Sequence, residues 1–254
     1  MKNIKLFAVI SIIGFAISFS SLGQESDFTG KTIKIESADG IQVYADIYDI
    51  DVKEDYPVIL LFHQAGYSRG EYRPIAPMLN ELGYTCISID QRSGNRVNGV
   101  INETHKQAKE KGLKTKYVDA LPDLRAAIDY ALNNYKNKEV ILWGSSYSSS
   151  LVFILGTEYK DKVKAILSFS PGEYFKYNNK EIKDYSQLVE CPVFITSSGS
   201  EKKDWEVIFE VIKSKKHSYL PDFKGKHGSK ALWESNEGNE KYWEEVKQFL
   251  KEIN

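Results

Sequence analysis

Short runs of consecutive apolar residues, separated by longer stretches of helical period, constrain this chain's fold more than any other feature. The runs are Val58 to Phe62, Cys86 to Ile89, Val140 to Trp143, Ala165 to Leu167 and Val193 to Ile195. A strand with one wet face alternates apolar and polar residues, whereas a continuous run suits a strand covered on both faces. Between the runs, apolar residues recur at three and four: Ile75, Met78, Leu79, Leu82; then Val118, Leu121, Leu124, Ile128, Leu132. The same stripe returns in Trp205, Ile208, Phe209, Ile212 and in Trp243, Val246, Leu250. Strand alternating with helix implies right-handed crossovers and a parallel sheet. Ahead of these units Ile33 and Ile35, then Ile41, Val43, Ala45 and Ile47, alternate on either side of Asp39-Gly40, a dipeptide that favours a hairpin turn. The expected fold class is therefore α/β, a three-layer sandwich whose mostly parallel central sheet is led by an N-terminal antiparallel hairpin.

The first residues stand apart. Lys2 and Lys5 precede the apolar stretch Phe7 to Phe19, followed by the small residues Ser21 and Gly23 and then polar Gln24 and Glu25. That order is expected of a secretory signal peptide over residues 1–23, cleaved after Gly23, with an uncleaved anchor as the alternative. The stretch is shorter than the ~20 apolar residues of a membrane span. The expectation is thus an exported protein, periplasmic or secreted, without stable membrane insertion after cleavage. Residues 24–254 are the size of one α/β domain. A net charge of -1 argues against a nucleic-acid partner, which would call for a basic face. The two cysteines, Cys86 and Cys191, lie in apolar runs and read as buried thiols, although export would permit their oxidation. Neither they nor the four histidines show zinc-ligand spacing, so no metal and no cofactor are expected.

Two segments break the rhythm. Residues 91–114 are polar and long for a connection, so they are expected to be functional or partly disordered. Residues 172–184 lack an amphipathic stripe and are too short for a lid domain. Both follow the carboxyl ends of strands, where open α/β sheets bind ligands.

The chemistry concentrates in Gly144-Ser145-Ser146-Tyr147-Ser148, between an apolar run and the helix candidate Leu151 to Leu155. A tight strand-to-helix turn lifts one side chain above the sheet and requires small neighbours. The helix N-terminus beneath it favours developing negative charge. A serine-rich helix cap is the plain alternative. The arrangement resembles the α/β-hydrolase fold, especially its smaller, lidless dienelactone-hydrolase-like members. Their pattern is Gly-x-Ser-x-Gly, and Ser148 replaces the second glycine here. The resemblance implies Ser146 as nucleophile, followed in the chain by an acid and a histidine. His227, flanked by Gly225 and Gly228 after the strand candidate Ser218 to Phe223, matches the family's loop histidine. Counting on from Pro192 as in the family lands on Glu201 as the acid, with Asp204 and then Glu173 as further candidates.

The resemblance also implies an oxyanion hole made by the backbone N–H groups of Tyr147 and Ala65. Phe62-His63-Gln64-Ala65-Gly66 resembles the family's His-Gly-x-x-Gly loop, with Gln64 as the alternative donor and His63 structural. Asp90-Gln91-Arg92 resembles an architectural stretch, though Arg92 is also a candidate for binding a substrate carboxylate. Asn102-Glu103-Thr104 matches a glycosylation sequon. The function expected is that of a serine hydrolase cleaving a carboxylic ester or related acyl bond of a small-molecule substrate through an acyl-serine. A non-catalytic binding protein on a hydrolase scaffold and an acyltransferase remain the alternatives.

Overall fold

The computed structural model describes residues 30–50 and 56–254, so the signal segment expected over residues 1–23 lies outside the described residues. The strands are β1 (Lys31–Glu36), β2 (Gln42–Tyr48), β3 (Val58–Phe62), β4 (Cys86–Ile89), β5 (Arg96–Val97), β6 (Val100–Ile101), β7 (Val140–Ser145), β8 (Val163–Phe169), β9 (Val193–Thr196) and β10 (Lys216–Tyr219). All but β5 and β6 form one eight-stranded sheet in the order β1-β2-β4-β3-β7-β8-β9-β10. β2 runs antiparallel to both β1 and β4, and every pair from β4 to β10 is parallel. The hairpin expected at the N-terminus is β1–β2, with Gly40 at φ +75° in its turn.

The continuous apolar runs are explained by two cores. Side chains of a strand alternate between faces. Leu60, Phe62 and Leu142 accordingly enter the cluster beneath α3 (Leu121–Asn134), α4 (Tyr147–Glu158) and α6 (Lys202–Val211). Ile59, Leu61, Ile141 and Trp143 enter the opposite cluster with α1 (Ala76–Glu81) and α7 (Asn239–Ile253). α7 carries Tyr242, Val246, Phe249 and Ile253 inward, the helical spacing of one buried face. Fully burying each such side chain contributes roughly 1.5–3 kcal/mol. The three layers expected from the sequence are present.

Two expectations are corrected. The strand expected over Ser218 to Phe223 is β10, Lys216–Tyr219, because β9 is its one neighbour and pairs only from Val193 to Thr196. Beyond it Pro221 has no N–H to give a ladder. Residues 91–114 are ordered rather than partly disordered. They fold as the β5–β6 hairpin, turning at Asn98 and Gly99 with positive φ, and as α2 (Glu103–Glu110), capped when the Asn102 side chain accepts from the His105 N–H. Residues 172–184 form no lid; Tyr177 and Lys180 close a turn ahead of α5 (Ile182–Ser186).

Cys86 and Cys191 are buried free thiols, and burial pushes the Cys191 thiol up to about 12. Cys86 lies in β4 and Cys191 two residues ahead of β9; β3, β7 and β8 stand between those strands, so roughly 19 Å of sheet separates them at ~4.8 Å per strand. No disulfide spans that distance. Among the described residues no helix is long and apolar enough to cross a membrane.

Candidate active site

The loops that follow the carboxyl ends of β3, β7, β8, β9 and β10 supply the site. At the end of β7 the chain turns into α4 through Ser146, whose φ of +58° and ψ of −123° lie in a region that side-chain-bearing residues seldom occupy. The turn persists because its surroundings over-determine it. The Ser146 N–H donates to the Phe169 carbonyl at 2.8 Å. Gly144 leaves no room for a side chain, since a Cβ there would lie 2.5 Å from the Ser148 carbonyl and the Ser149 backbone. Ser148 stands where the resembled pattern has glycine. Its buried hydroxyl accepts from the Ser145 N–H at 2.9 Å and donates to the Phe62 carbonyl at 2.7 Å, so the first turn of α4 is stapled to the end of β3.

The Ser146 hydroxyl lies 2.8 Å from Nε2 of His227, and Nδ1 of that ring lies 2.8 Å from Oε1 of Glu201. An ionised carboxylate can only accept, so the ring carries its proton on Nδ1 and offers Nε2 to the serine. Glu201 ends a 3-10 turn, Gly199–Glu201, directly after β9. Its other oxygen accepts from the Ser170 hydroxyl at 2.7 Å and from the Ser198 N–H at 3.3 Å. Burial acts to raise the Glu201 pKa. The bonds from His227, Ser170 and Ser198 outweigh it and hold the carboxyl below its ordinary range. Ser170 also accepts from the Gly228 N–H at 2.8 Å, which ties the acid to the histidine loop. Gly228 itself has φ +70°, and a Cβ there would meet the Ser145 hydroxyl at 2.5 Å.

The other acid candidates are placed elsewhere. Asp204 is exposed in the first turn of α6. Glu173 accepts from the Ile182 and Lys183 N–H groups at 2.6 and 2.8 Å, capping α5.

Among the candidate oxyanion donors, the Gln64 N–H is engaged, donating to Oε2 of Glu71 at 2.7 Å. Tyr147 opens α4, where the first N–H groups of a helix have no partner within it. Ala65, in the loop after β3, is half-buried and packs against the core cluster that holds Tyr147. His63 is fully buried and structural: Nε2 accepts from the Gln91 N–H at 2.9 Å, and Nδ1 donates to the Gln64 carbonyl at 2.8 Å. Desolvation pushes its imidazole down to about 4, so the ring is neutral.

Glu71, which sequence reasoning did not single out, lies beneath this loop in the 3-10 turn Arg69–Tyr72 with no exposed surface. Besides the Gln64 N–H it accepts from the Ser145 hydroxyl at 2.7 Å and from the Gln64 amide at 3.2 Å. Desolvation dominates and, against those bonds and the Lys230 charge, raises its carboxyl to about 7. Ser145 in turn accepts from the Ser229 N–H at 2.9 Å, and Trp143 donates from its indole to the Ser229 hydroxyl at 2.9 Å.

Arg92 is held by Asp123 and Asp39 with a side chain only 4% exposed, which makes it architectural and leaves no fork for a substrate carboxylate. Asn102 is buried, its amide donating to the Gln91 carbonyl at 2.8 Å, so the sequon is not presented to a glycosylating enzyme in the folded chain. On the open side of the site, Tyr117 stacks on Tyr147 with ring centroids 4.7 Å apart. The Tyr174 phenol donates to the Ser170 carbonyl and contacts the Ser146 side chain. Both rings are exposed.

Solved structures share this architecture. The esterase Pf2001 of Pyrococcus furiosus aligns at 19% identity over 91% of this chain and 95% of its own, with a TM-score of 0.68. A dienelactone hydrolase of Anabaena variabilis aligns at 14% identity over 88% and 97%, also at 0.68. Est1E of Butyrivibrio proteoclasticus, solved with ferulic acid bound, aligns at 15% identity over 87% and 98%, at 0.66. No curated protein matches the chain in sequence. A family model described as the alpha/beta hydrolase fold matches residues 57–190, which hold the β3 loop and the Ser146 turn. That match takes in more than half of the 254 residues, and with it the protein belongs to the α/β-hydrolase family.

Proposed function

We propose that the protein is a serine hydrolase that cleaves a carboxylic ester through an acyl-Ser146 intermediate. The observation that carries the reading is the unbroken relay from the Ser146 hydroxyl through His227 to Glu201, each link 2.8 Å long. Nucleophile, base and orienting acid within hydrogen-bond reach form the arrangement that acyl transfer needs.

His227 Nε2 takes the Ser146 proton as Oγ bonds to the carbonyl carbon. The carbonyl π pair moves onto oxygen, and the Ala65 and Tyr147 N–H groups stabilise that charge. The tetrahedral carbon then expels the alcohol, which leaves with the proton held on Nε2. Water repeats the sequence: His227 removes its proton, the acyl carbon is attacked, and collapse frees the acid and returns the proton to Ser146. Glu201 remains ionised throughout, keeping the ring oriented and stabilising the imidazolium. Ester over amide is supported by the fold shared with an esterase, a dienelactone hydrolase and a protein that binds ferulic acid. The exposed Tyr117 and Tyr174 beside the serine suit a small ester with a flat ring.

Fluorophosphonate should label the wild type at the peptide containing Ser146. Ser146→Ala should lose the label and about 10⁴-fold or more of kcat on a short-chain aryl ester. A folded wild type that the probe leaves unmodified removes the proposal. Export with cleavage after Gly23 is proposed as well; a mature protein retaining residues 1–23 would refute the cleavage, and one found only in the cytoplasm would refute the export.

A further inference from the structure

Ala65 and Gln64 share one peptide, and the way that peptide is held determines where the Ala65 N–H points. The Gln64 carbonyl accepts from Nδ1 of His63 at 2.8 Å and from the Tyr67 N–H at 3.2 Å. No peptide among the described residues is cis, so the Ala65 N–H is directed opposite to that carbonyl. The preceding peptide is held by the bond from the Gln64 N–H to Oε2 of Glu71. On its other oxygen Glu71 accepts from Ser145, the residue next to the nucleophile, and Ser145 accepts from Ser229, the second residue after His227. One fully buried carboxyl group therefore joins the oxyanion loop, the nucleophile strand and the histidine loop.

We infer that Glu71 is a positioning residue of the hydrolytic site, its carboxylate clamping the Gln64–Ala65 loop to the end of β7 and, through Ser145, to the loop that carries His227. The inference rests on the acyl-serine reading above. The donors that converge on it, the Gln64 N–H, the Gln64 amide and the Ser145 hydroxyl, are satisfied together only by an ionised carboxylate. A proton on Oε1 would have to be given to Ser145, whose own hydrogen would then lose its acceptor. The groups facing Glu71 are Lys230 after the histidine, Tyr67 in the loop, Tyr72 on its own turn and Tyr147 at the start of α4. None is a carboxyl group, and Lys230 favours the ionised form. A clamp of this kind acts on donors that engage the oxyanion in the transition state, so its loss should appear in kcat more than in KM.

Glu71→Gln keeps the side chain's shape while removing the charge and one acceptor. With an aryl acetate as substrate, and folding checked by circular dichroism, kcat should fall about 10²-fold. KM should stay within about threefold. In the wild type the acid limb of kcat should be steeper than one proton, since His227 must be neutral and Glu71 ionised. In Glu71→Gln it should relax to a single ionisation. Should Glu71→Gln not fold, Ser145→Ala breaks the same link and should lower kcat about tenfold. A folded Glu71→Gln within about twofold of the wild-type kcat, or superposable acid limbs, overturns the inference. Fluorophosphonate labelling separates the two failures. A wild type labelled at Ser146 alongside an unimpaired Glu71→Gln refutes only the clamp, whereas an unlabelled wild type refutes the hydrolase reading itself.

Discussion

Two glutamates serve the same short stretch of chain in different surroundings. Glu201 sits at the rim of the sheet with 21% of its side chain exposed, bonded to an imidazole that can take a charge. Glu71 is fully buried and bonded to Ser145, the residue before Ser146, and it faces an amide, a backbone N–H and a hydroxyl. Desolvation is the largest influence on both and raises both. At Glu201 the ionisable partner and the Ser170 bond overcome it; at Glu71 neutral dipoles do not, and the carboxyl reaches about 7. Carboxylates of one type are thus driven apart by exposure and by whether a partner can carry charge. The half-open one is suited to meet a developing imidazolium, the buried one to hold backbone in place.

The largest expected effect tests the Glu201 side. Glu201→Gln would present an amide N–H to Nδ1 of His227 and favour the tautomer with its proton on Nε2, facing the serine. A loss of about 10³–10⁴-fold in kcat is expected. A loss below tenfold would shift the orienting role away from Glu201 and break the contrast.

The opposite shifts also predict opposite dependences of stability on pH. Glu201, held low, contributes stability above the ordinary glutamate pKa, and that contribution is lost as pH falls through its lowered value. Glu71 is raised from an ordinary 4.5 to about 7, so its contribution is complete below 4.5 and lost as pH rises through 7. A shift of that size corresponds to about 3 kcal/mol. Unfolding free energies of wild type and Glu71→Gln, measured between pH 4.5 and 8, should therefore converge or cross as pH rises. Parallel curves would remove the claim that burial raises the Glu71 carboxyl.

A smaller effect concerns Ser170, the hydroxyl shared between acid and histidine loop. Ser170→Ala removes one bond to the Glu201 carboxylate and leaves the buried Gly228 N–H without its acceptor. A loss of about 1.4 kcal/mol, or tenfold in kcat, is expected. Acid unfolding should also begin at higher pH, because Glu201 without the Ser170 bond is held less low and its stabilising contribution is lost sooner as pH falls. An unchanged acid-unfolding profile would mean that the Ser170 bond does not help to hold Glu201 low.

Much of the Glu201 side was legible in the sequence and little of the Glu71 side was. Apolar runs announce strands because burial on both faces disfavours polar residues, with Ser88 and Ser168 as buried exceptions, and the order of Ser146, Glu201 and His227 is read from the family resemblance. The end of β10 was not legible, since it depends on how far β9 offers partners. The β5–β6 hairpin and α2 were missed because they bury few apolar residues, although Asn98-Gly99 is a recognisable hairpin turn. Arg69-Gly70-Glu71-Tyr72 reads as a polar loop. Its burial arises from partners far off in the chain, Asp46 and Asp90 on Arg69, the β5–β6 hairpin against Gly70, and Ser145 and Trp233 on Glu71, and no local pattern encodes that.

The smallest expected effect lies at Ser148, the departure from the resembled glycine. If its hydroxyl is a staple between α4 and β3, as its bonds to the Ser145 N–H and Phe62 carbonyl indicate, its loss should weaken the fold more than the chemistry. Ser148→Ala retains the Cβ, which already fits, and removes only the hydroxyl. The Ser145 N–H then loses its acceptor in a buried place, for a net loss of about 1 kcal/mol in unfolding free energy. kcat should hold within about twofold, because Ser146, His227 and Glu201 keep their own bonds. Chemical denaturation alongside steady-state kinetics checks both. A large fall in kcat with unchanged stability would show instead that Ser148 tunes the turn bearing Ser146, and it would place Ser148 with Glu71 among the residues that position the site.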